Sequence, residues 1–323
     1  MNCLICLAEV GKSKFKEYHE TCFRKLFGTI KIDPILPFTR KQFFEEKSKE
    51  DSKRISISGV QPKLAIKIEQ GKLVTTSDNF THILKPSPED YPEAAENEHL
   101  SMLISNMVKI DTADCGLIRF SDNELVYVTK RFDLLKNGNK IHQEDMMQAM
   151  NIHPELSKNA KYEAKSYEEV GIFIKTHSSL IAASDFFERV FFNYMIANND
   201  YHLKNISIQY DKAAAGGIKL SPQYDTVNTF VYGLQGKEMA CYITGGSGFY
   251  PPYNEYGYHT RECFNILARH IGINEKAVNK IFTNFSDHFP EILKLVNKSP
   301  MSEEKKGKYV LGLNDRRTKF LRS

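Results

Sequence analysis

Short alternating runs of apolar and polar residues occupy the first half of the chain, and apolar positions spaced three and four apart dominate the second. From Ile55, the stretch ISISGVQPKLAIKIEQGKLVTT reads as two strands joined at Gln70-Gly71, and THILKP and LVYVTKRF read as two more. The pattern predicts a mostly antiparallel sheet. Between these strands, PEAAENEHLSMLISNMVKI opens on Pro92 and acidic residues. It carries apolar side chains at Leu100, Leu103, Ile104 and Met107, which predicts an amphipathic helix with a favourable first turn. After Lys140 the period becomes helical in EDMMQAM, YEEVGIFIKTH, SDFFERVFFNYMIANN and the final third. One interruption, NISIQYDKAAAGGIKLSPQYDTV, predicts two short strands around a Gly216-Gly217 turn.

The 323 residues, 41% apolar and 26% charged, are enough for a substantial core in one large or two medium domains. No apolar run reaches the roughly 18 residues of a membrane span, and the start lacks the order of a signal peptide. A cytoplasmic location without membrane contact is therefore expected, with translocation as an effector left open. The formal charge of +4 is spread along the chain and neither demands nor excludes nucleic acid. No internal repeat or low-complexity segment is present. The polar segment from Lys41 to Arg54 reads as a helix or a tether.

Candidate chemistry concentrates in Asn198-Asn199-Asp200-Tyr201-His202-Leu203-Lys204-Asn205, a polar cluster between an apolar helix and a strand. An asparagine-rich helix end would produce part of this pattern, because asparagine tolerates left-handed geometry. The Asp-x4-Asn spacing of Asp200 and Asn205 is also that of a kinase catalytic loop, where aspartate accepts a hydroxyl proton and asparagine binds magnesium. A second metal carboxylate should then follow a short hairpin, and Asp225 in SPQYDTV stands there. Such a site also needs a strand lysine for the ATP phosphates and a helix glutamate to hold it. Lys85 and Glu98 occur in that order, with Glu93 and Glu96 competing for the glutamate role. Upstream, Ser56 to Lys63 (SISGVQPK) would bring backbone N–H groups and Lys63 to phosphate around Gly59. A strand with a bulge at Gly59 is the plainer reading.

Six cysteines at irregular positions do not form a disulfide framework. Cys3, Cys6, His19 and Cys22 form Cys-x2-Cys-x12-His-x2-Cys, two close pairs suited to tetrahedral zinc. The same residues also read as small apolar core cysteines and a surface histidine.

In order and spacing, SISGVQPK, THILKP, TKRFD, HQEDMMQAM, AKYE, NNDYHLKN and PQYDTV resemble the HipA family of bacterial toxin kinases, from about Ile55 to about residue 230. The resemblance implies an α+β, two-lobed protein-kinase-like fold related to the phosphoinositide kinases. Its organisation would be a Cys/His-rich segment over 1–29, an antiparallel-sheet N-lobe with a phosphate loop over 30–135, and a mostly helical C-lobe over 136–323. It implies an ATP- and magnesium-dependent serine/threonine kinase with Asp200 as base, Asn205 and Asp225 as magnesium ligands and Lys85 on the ATP phosphates. His202 and Lys204 would lie beside the phosphates, with Gly59, Val60, Gln61 and Lys63 in the phosphate loop. Adenine would meet the Thr129-Lys130-Arg131-Phe132 backbone and Phe132, although Lys130 replaces a glutamate common in the family. Gln143, Glu144 and Asp145 would support the catalytic loop, and Ser56, with Ser58 as a second candidate, would be autophosphorylated.

The short chain looks more like a HipT-type toxin. The resemblance thereby implies a small HipS-like antitoxin, a HipB-like DNA-binding antitoxin and a protein substrate such as an aminoacyl-tRNA synthetase. The competing readings are a DNA-associated corepressor, whose basic residues and zinc-like pairs bind DNA, and an ATP-binding pseudokinase scaffold. Neither needs Asp200, Asn205 and Asp225 together.

Overall fold

The computed structural model describes residues 1–11, 15–51, 62–135, 138–153, 155, 157–233, 237–245 and 251–322. The chain divides into two compact units, the first comprising Met1–Leu103, Ala113–Phe132 and Asn297–Met301, the second Ile104–Thr112, Asp133–Val296 and Ser302–Ser323.

In the first unit, α1 (Glu20–Phe27) and α2 (Arg40–Asp51) precede a hairpin of β1 (Leu64–Glu69) and β2 (Lys72–Thr75), so the polar segment is helical as far as Asp51, the last of its residues described. β3 (His82–Pro86), α3 (Ala94–Met107), β4 (Cys115–Arg119) and β5 (Leu125–Lys130) follow. The five strands form one antiparallel sheet in the order β2-β1-β3-β5-β4. Gln70 and Gly71 turn the first hairpin with φ of 49° and 75°, the left-handed pair that matches the twist of the strands it joins. The sequence pattern missed β4 because its first four residues are all buried, a short apolar run without alternation.

Helix α3 departs from the amphipathic expectation. Leu100 and Ile104 are buried, but so are Asn97, Glu98, His99, Ser101 and Ser105. Polar side chains are tolerated inside where partners meet them: His99 Nε2 lies 3.0 Å from the Ile5 carbonyl, Ser105 Oγ hydrogen-bonds Thr112 Oγ1 at 2.8 Å, and Glu98 is ion-paired.

The second unit holds a three-stranded antiparallel sheet of β6 (Gln143–Asp145), β7 (Ser207–Tyr210) and β8 (Ile218–Leu220), in that order. Its helices are α4 (Met146–Ala149), α5 (Ala160–Glu163), α6 (Tyr167–His177), α7 (Leu180–Met195), α8 (Pro251–Tyr256), α9 (Arg261–Ile271), α10 (Glu275–Lys298) and α11 (Glu303–Leu321). EDMMQAM is helical only from Met146. Asp145 N-caps α4 in a capping box with Gln148, so Glu144 and Asp145 belong to the strand.

Helix α7 buries ten of its side chains, including Phe186, Phe187, Phe191 and Phe192, and is therefore a central helix. The Phe191 ring packs on Phe282 at 4.7 Å, Phe320 at 5.0 Å and Phe264 at 5.5 Å, tying α7 to α10, α11 and α9. Ser179 caps its start, accepting from Ala182 N. The polar Asn198–Asn205 loop leaves the end of this anchored helix. Among the described residues, no helix is long and apolar enough to cross a membrane.

Candidate active site

The loop begins where α7 ends. Ala197 takes a left-handed φ of 56°, and Thr229 donates to its carbonyl at 2.9 Å while accepting from Asn199 N at 3.2 Å. Asn198 is buried and serves as a brace: its amide donates to Asn193 Oδ1 at 2.7 Å, and its oxygen accepts Asp200 N at 3.1 Å. A helix side chain thus holds the backbone that carries Asp200.

The Asp200 side chain is 47% exposed, and its backbone carbonyl is a second anchor. It accepts His202 N and Asn205 Nδ2, each at 2.8 Å. The Asn205 amide nitrogen is therefore committed to the loop, which makes Oδ1 the atom available to a cation. Lys204 is exposed, and its carbonyl accepts the Tyr224 hydroxyl at 3.1 Å.

Tyr162 and Lys161 approach the loop from α5. The Tyr162 hydroxyl donates to Asp200 Oδ1 at 2.9 Å. Burial and the adjacent Asp200 charge push the phenol well above its ordinary pKa, so it stays a donor. Lys161 Nζ lies 2.9 Å from His202 Nε2, which must then be the acceptor nitrogen. Burial lowers the His202 pKa, with Lys161 adding to the effect and Asp200 and Asp225 opposing it. His202 Nδ1 is buried without a hydrogen bond among the described residues. Both α5 residues lie in AKYE, a motif that carries no chemical signal by spacing.

Asp225 also has a left-handed φ, 55°, between braced neighbours. Gln223 N donates to the Asp111 carbonyl at 2.7 Å, and Tyr224 Oη hydrogen-bonds Ser207 Oγ at 2.6 Å. Gln143, Glu144 and Asp145 pair across β6 and β7 with Gln209, Ile208 and Ser207. Gln143 accepts from Gln209, Glu144 accepts from the Tyr210 hydroxyl, and Asp145 caps α4. Met146 N then donates to the Ile206 carbonyl at 2.9 Å, next to Asn205.

In the first unit, Lys85 Nζ meets Glu98 Oε1 at 2.7 Å, with side chains 10% and 0% exposed. The Tyr127 ring lies 5.6 Å from the same ammonium. Glu96 is not the partner: it accepts from Ser87 at 3.4 Å, and burial raises its pKa to about 7. The Lys130 and Arg131 N–H groups donate to Asp114 O (2.8 Å) and Thr81 O (2.9 Å), so neither serves as the adenine donor expected of this strand. Phe132 ends the Ala113–Phe132 segment of the unit. Lys63 is exposed just before β1, and Ser56, Ser58, Gly59, Val60 and Gln61 lie outside the described residues. Cys3, Cys6, His19 and Cys22 gather apart from this chemistry, their ligand atoms all within 4.8 Å of one another.

A family model described as the HipA-like C-terminal domain matches residues 55–293. A protein named putative kinase from Haemophilus influenzae is 33% identical over 294 residues, covering 85% of this chain and 84% of its own. The putative kinase Y4mE of Sinorhizobium fredii is 28% identical over 246 residues, 74% of this chain, which spans 56% of that relative. Among solved structures, a chain of the Shewanella oneidensis toxin–antitoxin complex of HipA, HipB and operator DNA superposes with a TM-score of 0.65 at 21% identity. The match covers 83% of this chain and 65% of that one. The Helicobacter pylori proinflammatory kinase CtkA gives 0.50 at 16% identity, over 83% of this chain and 91% of its own. These likenesses show an α+β, kinase-like fold.

Proposed function

This chain belongs to the HipA-like C-terminal domain family, and from that premise we propose that it is an ATP- and magnesium-dependent kinase acting on serine or threonine of a protein. The observation that carries the proposal is Asp200: a half-exposed carboxylate on a braced loop, held by a tyrosine hydroxyl and tied through its own carbonyl to Asn205.

In this reading Asp200 Oδ2 faces the substrate hydroxyl and takes its proton, while Tyr162 fixes the carboxylate through Oδ1. Asn205 Oδ1 and the Asp225 carboxylate are hard oxygen donors, the set that suits magnesium, and they would hold it. Magnesium supplies neutralisation of phosphate charge when bound. His202 stays neutral, which suits a group accepting a hydrogen bond from Lys161. Lys85, aligned by Glu98, presents its ammonium to phosphate oxygens. Adenine recognition would rest on Phe132 and on groups other than the Lys130 and Arg131 N–H.

Ser56 and Ser58 are proposed sites of autophosphorylation. Roughly −1.5 to −2 added charges in a phosphate loop would repel nucleotide and brake the enzyme. A HipB-like DNA-binding antitoxin, a HipS-like small partner and an aminoacyl-tRNA synthetase substrate belong to the same reading. The HipB in the Shewanella complex supports the first of these.

Incubation with radiolabelled ATP and magnesium, comparing the protein with Asp200→Asn, tests the mechanism. Labelling should need magnesium and vanish in the variant. Equal labelling of both proteins would remove Asp200 from the chemistry, whereas no labelling of either would favour a scaffold that binds ATP without using it.

A further inference from the structure

The phosphoryl transfer proposed above does not call on the cysteine-rich start, yet the backbone there is closely tied. Cys3 N donates to the Ala8 carbonyl and Leu7 N to the Cys3 carbonyl, each at 2.8 Å, while Leu7 turns the chain with a left-handed φ of 58°. This tight turn brings the Cys3 and Cys6 sulfurs to one side. His19 stands at the N-cap of α1, and Cys22 lies three residues on in the first turn, so both project on one face.

Cys6 Sγ is 3.3 Å and Cys22 Sγ 3.8 Å from His19 Nδ1, and every pair among the four ligand atoms lies within 4.8 Å. A tetrahedral zinc with bonds of about 2.3 Å to sulfur and about 2.0–2.1 Å to nitrogen puts sulfur about 3.6 Å from nitrogen and about 3.8 Å from sulfur. The observed group matches the first spacing and needs to contract by no more than about 1 Å to reach the second.

The histidine tautomer decides between a metal site and a chance gathering. His19 Nε2 lies 3.0 Å from the Glu9 carbonyl, which can only accept, so Nε2 carries the proton. Nδ1 then turns its lone pair toward the Cys6 and Cys22 sulfurs. A backbone carbonyl on the far nitrogen is the usual outer support of a metal-binding histidine. The His19 backbone N–H also points at Cys3 Sγ, 3.4 Å away, which favours a thiolate there. The three cysteines and the one histidine thus present sulfur and imidazole donors to one point.

We propose that Cys3, Cys6, His19 and Cys22 bind one structural Zn²⁺ ion. Three thiolates and one imidazole in a closed set leave no coordination position for a substrate, so the ion is a staple. What it staples is visible. Between Cys3 and Cys6, the Leu4 carbonyl accepts Leu117 N of β4 at 2.8 Å and the Ile5 carbonyl faces His99 of α3, the neighbour of Glu98. Between Cys6 and His19, Glu17 makes a two-pronged ion pair with Arg119 at 2.6 and 2.8 Å. The metal holds the turn and α1 in the arrangement that makes these contacts with the sheet and α3.

Metal analysis of the full-length protein, purified without chelator from zinc-supplemented medium, tests this independently of any kinase activity. One zinc per chain is expected. Cys6→Ser and Cys22→Ser should each lose most of it. Should these variants fail to fold, cobalt titration of the stripped wild type decides, with a thiolate-to-cobalt charge-transfer band and the visible bands of a tetrahedral centre expected. His19→Cys should keep one metal and shift those bands toward a four-thiolate pattern. Iron in place of zinc, no cobalt spectrum, or full zinc content in Cys22→Ser would overturn the proposal.

Discussion

The hydroxyl of Tyr162 donates to Asp200 Oδ1 at 2.9 Å, linking α5 to a loop thirty-eight residues later in the chain. Because the phenol remains protonated, this contact orients the carboxylate without competing for the proton role proposed for Asp200. Tyr162→Phe should leave the fold intact by circular dichroism and reduce turnover about 10- to 100-fold, the worth of one hydrogen bond to a charged group. The KM for ATP should change little, since Tyr162 is not placed on nucleotide. Unchanged turnover would mean that Asp200 needs no such support.

Lys85 and Glu98 form a pair whose carboxylate side is fully enclosed. Lys85→Met strands a buried carboxylate and should cost about 3–5 kcal/mol in denaturant unfolding, together with all phosphotransfer. Adding Glu98→Leu should restore much of the stability but none of the activity. Activity in the double variant would show that the ammonium serves packing alone.

Glu238 receives hydrogen bonds from His259 N and Nδ1, Arg316 and Lys319. Burial raises its pKa, but these partners outweigh it and bring the group down to about 2. A depressed carboxyl pKa contributes stability that is complete above the ordinary carboxylate range and lost as pH falls toward 2. The contribution is about 3 kcal/mol at neutral pH. Glu238→Gln should therefore lower the melting temperature at pH 7 and flatten the stability profile below pH 5, as followed by thermal unfolding across pH.

Gly116 in β4 lies beneath the Cys3–Cys6 turn. A Cβ there would sit 2.8 Å from Ile5 Cγ1 and 3.1 Å from Leu26 Cδ2. Gly116→Ala should cost about 1–3 kcal/mol, the usual range for overpacking. Limited proteolysis should open first within residues 1–29, and chelation of the wild type should expose the same cleavage sites. Equal protease resistance of variant and wild type would mean that the turn is not seated on the strand.

Much of this was legible in the sequence, because much of it is local. The Gln70-Gly71 hairpin, the strands around Gly216-Gly217 and the span of α6 follow from alternation, turn residues and helical period within a few positions of each other. The site was legible only as spacing. Asp200 and Asn205 stand on one short loop, and the two cysteine pairs on tight turns, so a few residues of chain suffice to place them. β4 escaped because a fully buried strand has no alternation to read, and α3 read as amphipathic because periodicity does not register polar residues that find partners inside.

By itself, then, the sequence determined the passage from a strand-rich first half to a helical second half, the loop that carries Asp200, and the donor types at Cys3, Cys6, His19 and Cys22. Tertiary structure decided which of three glutamates meets Lys85, since only packing of α3 on the sheet sets which side of the helix faces β3. It decided that Tyr162 reaches Asp200 and Lys161 reaches His202, contacts between residues with no periodic relation. And it decided the tautomer of His19, because the Glu9 carbonyl that fixes the proton on Nε2 arrives only when the turn folds back.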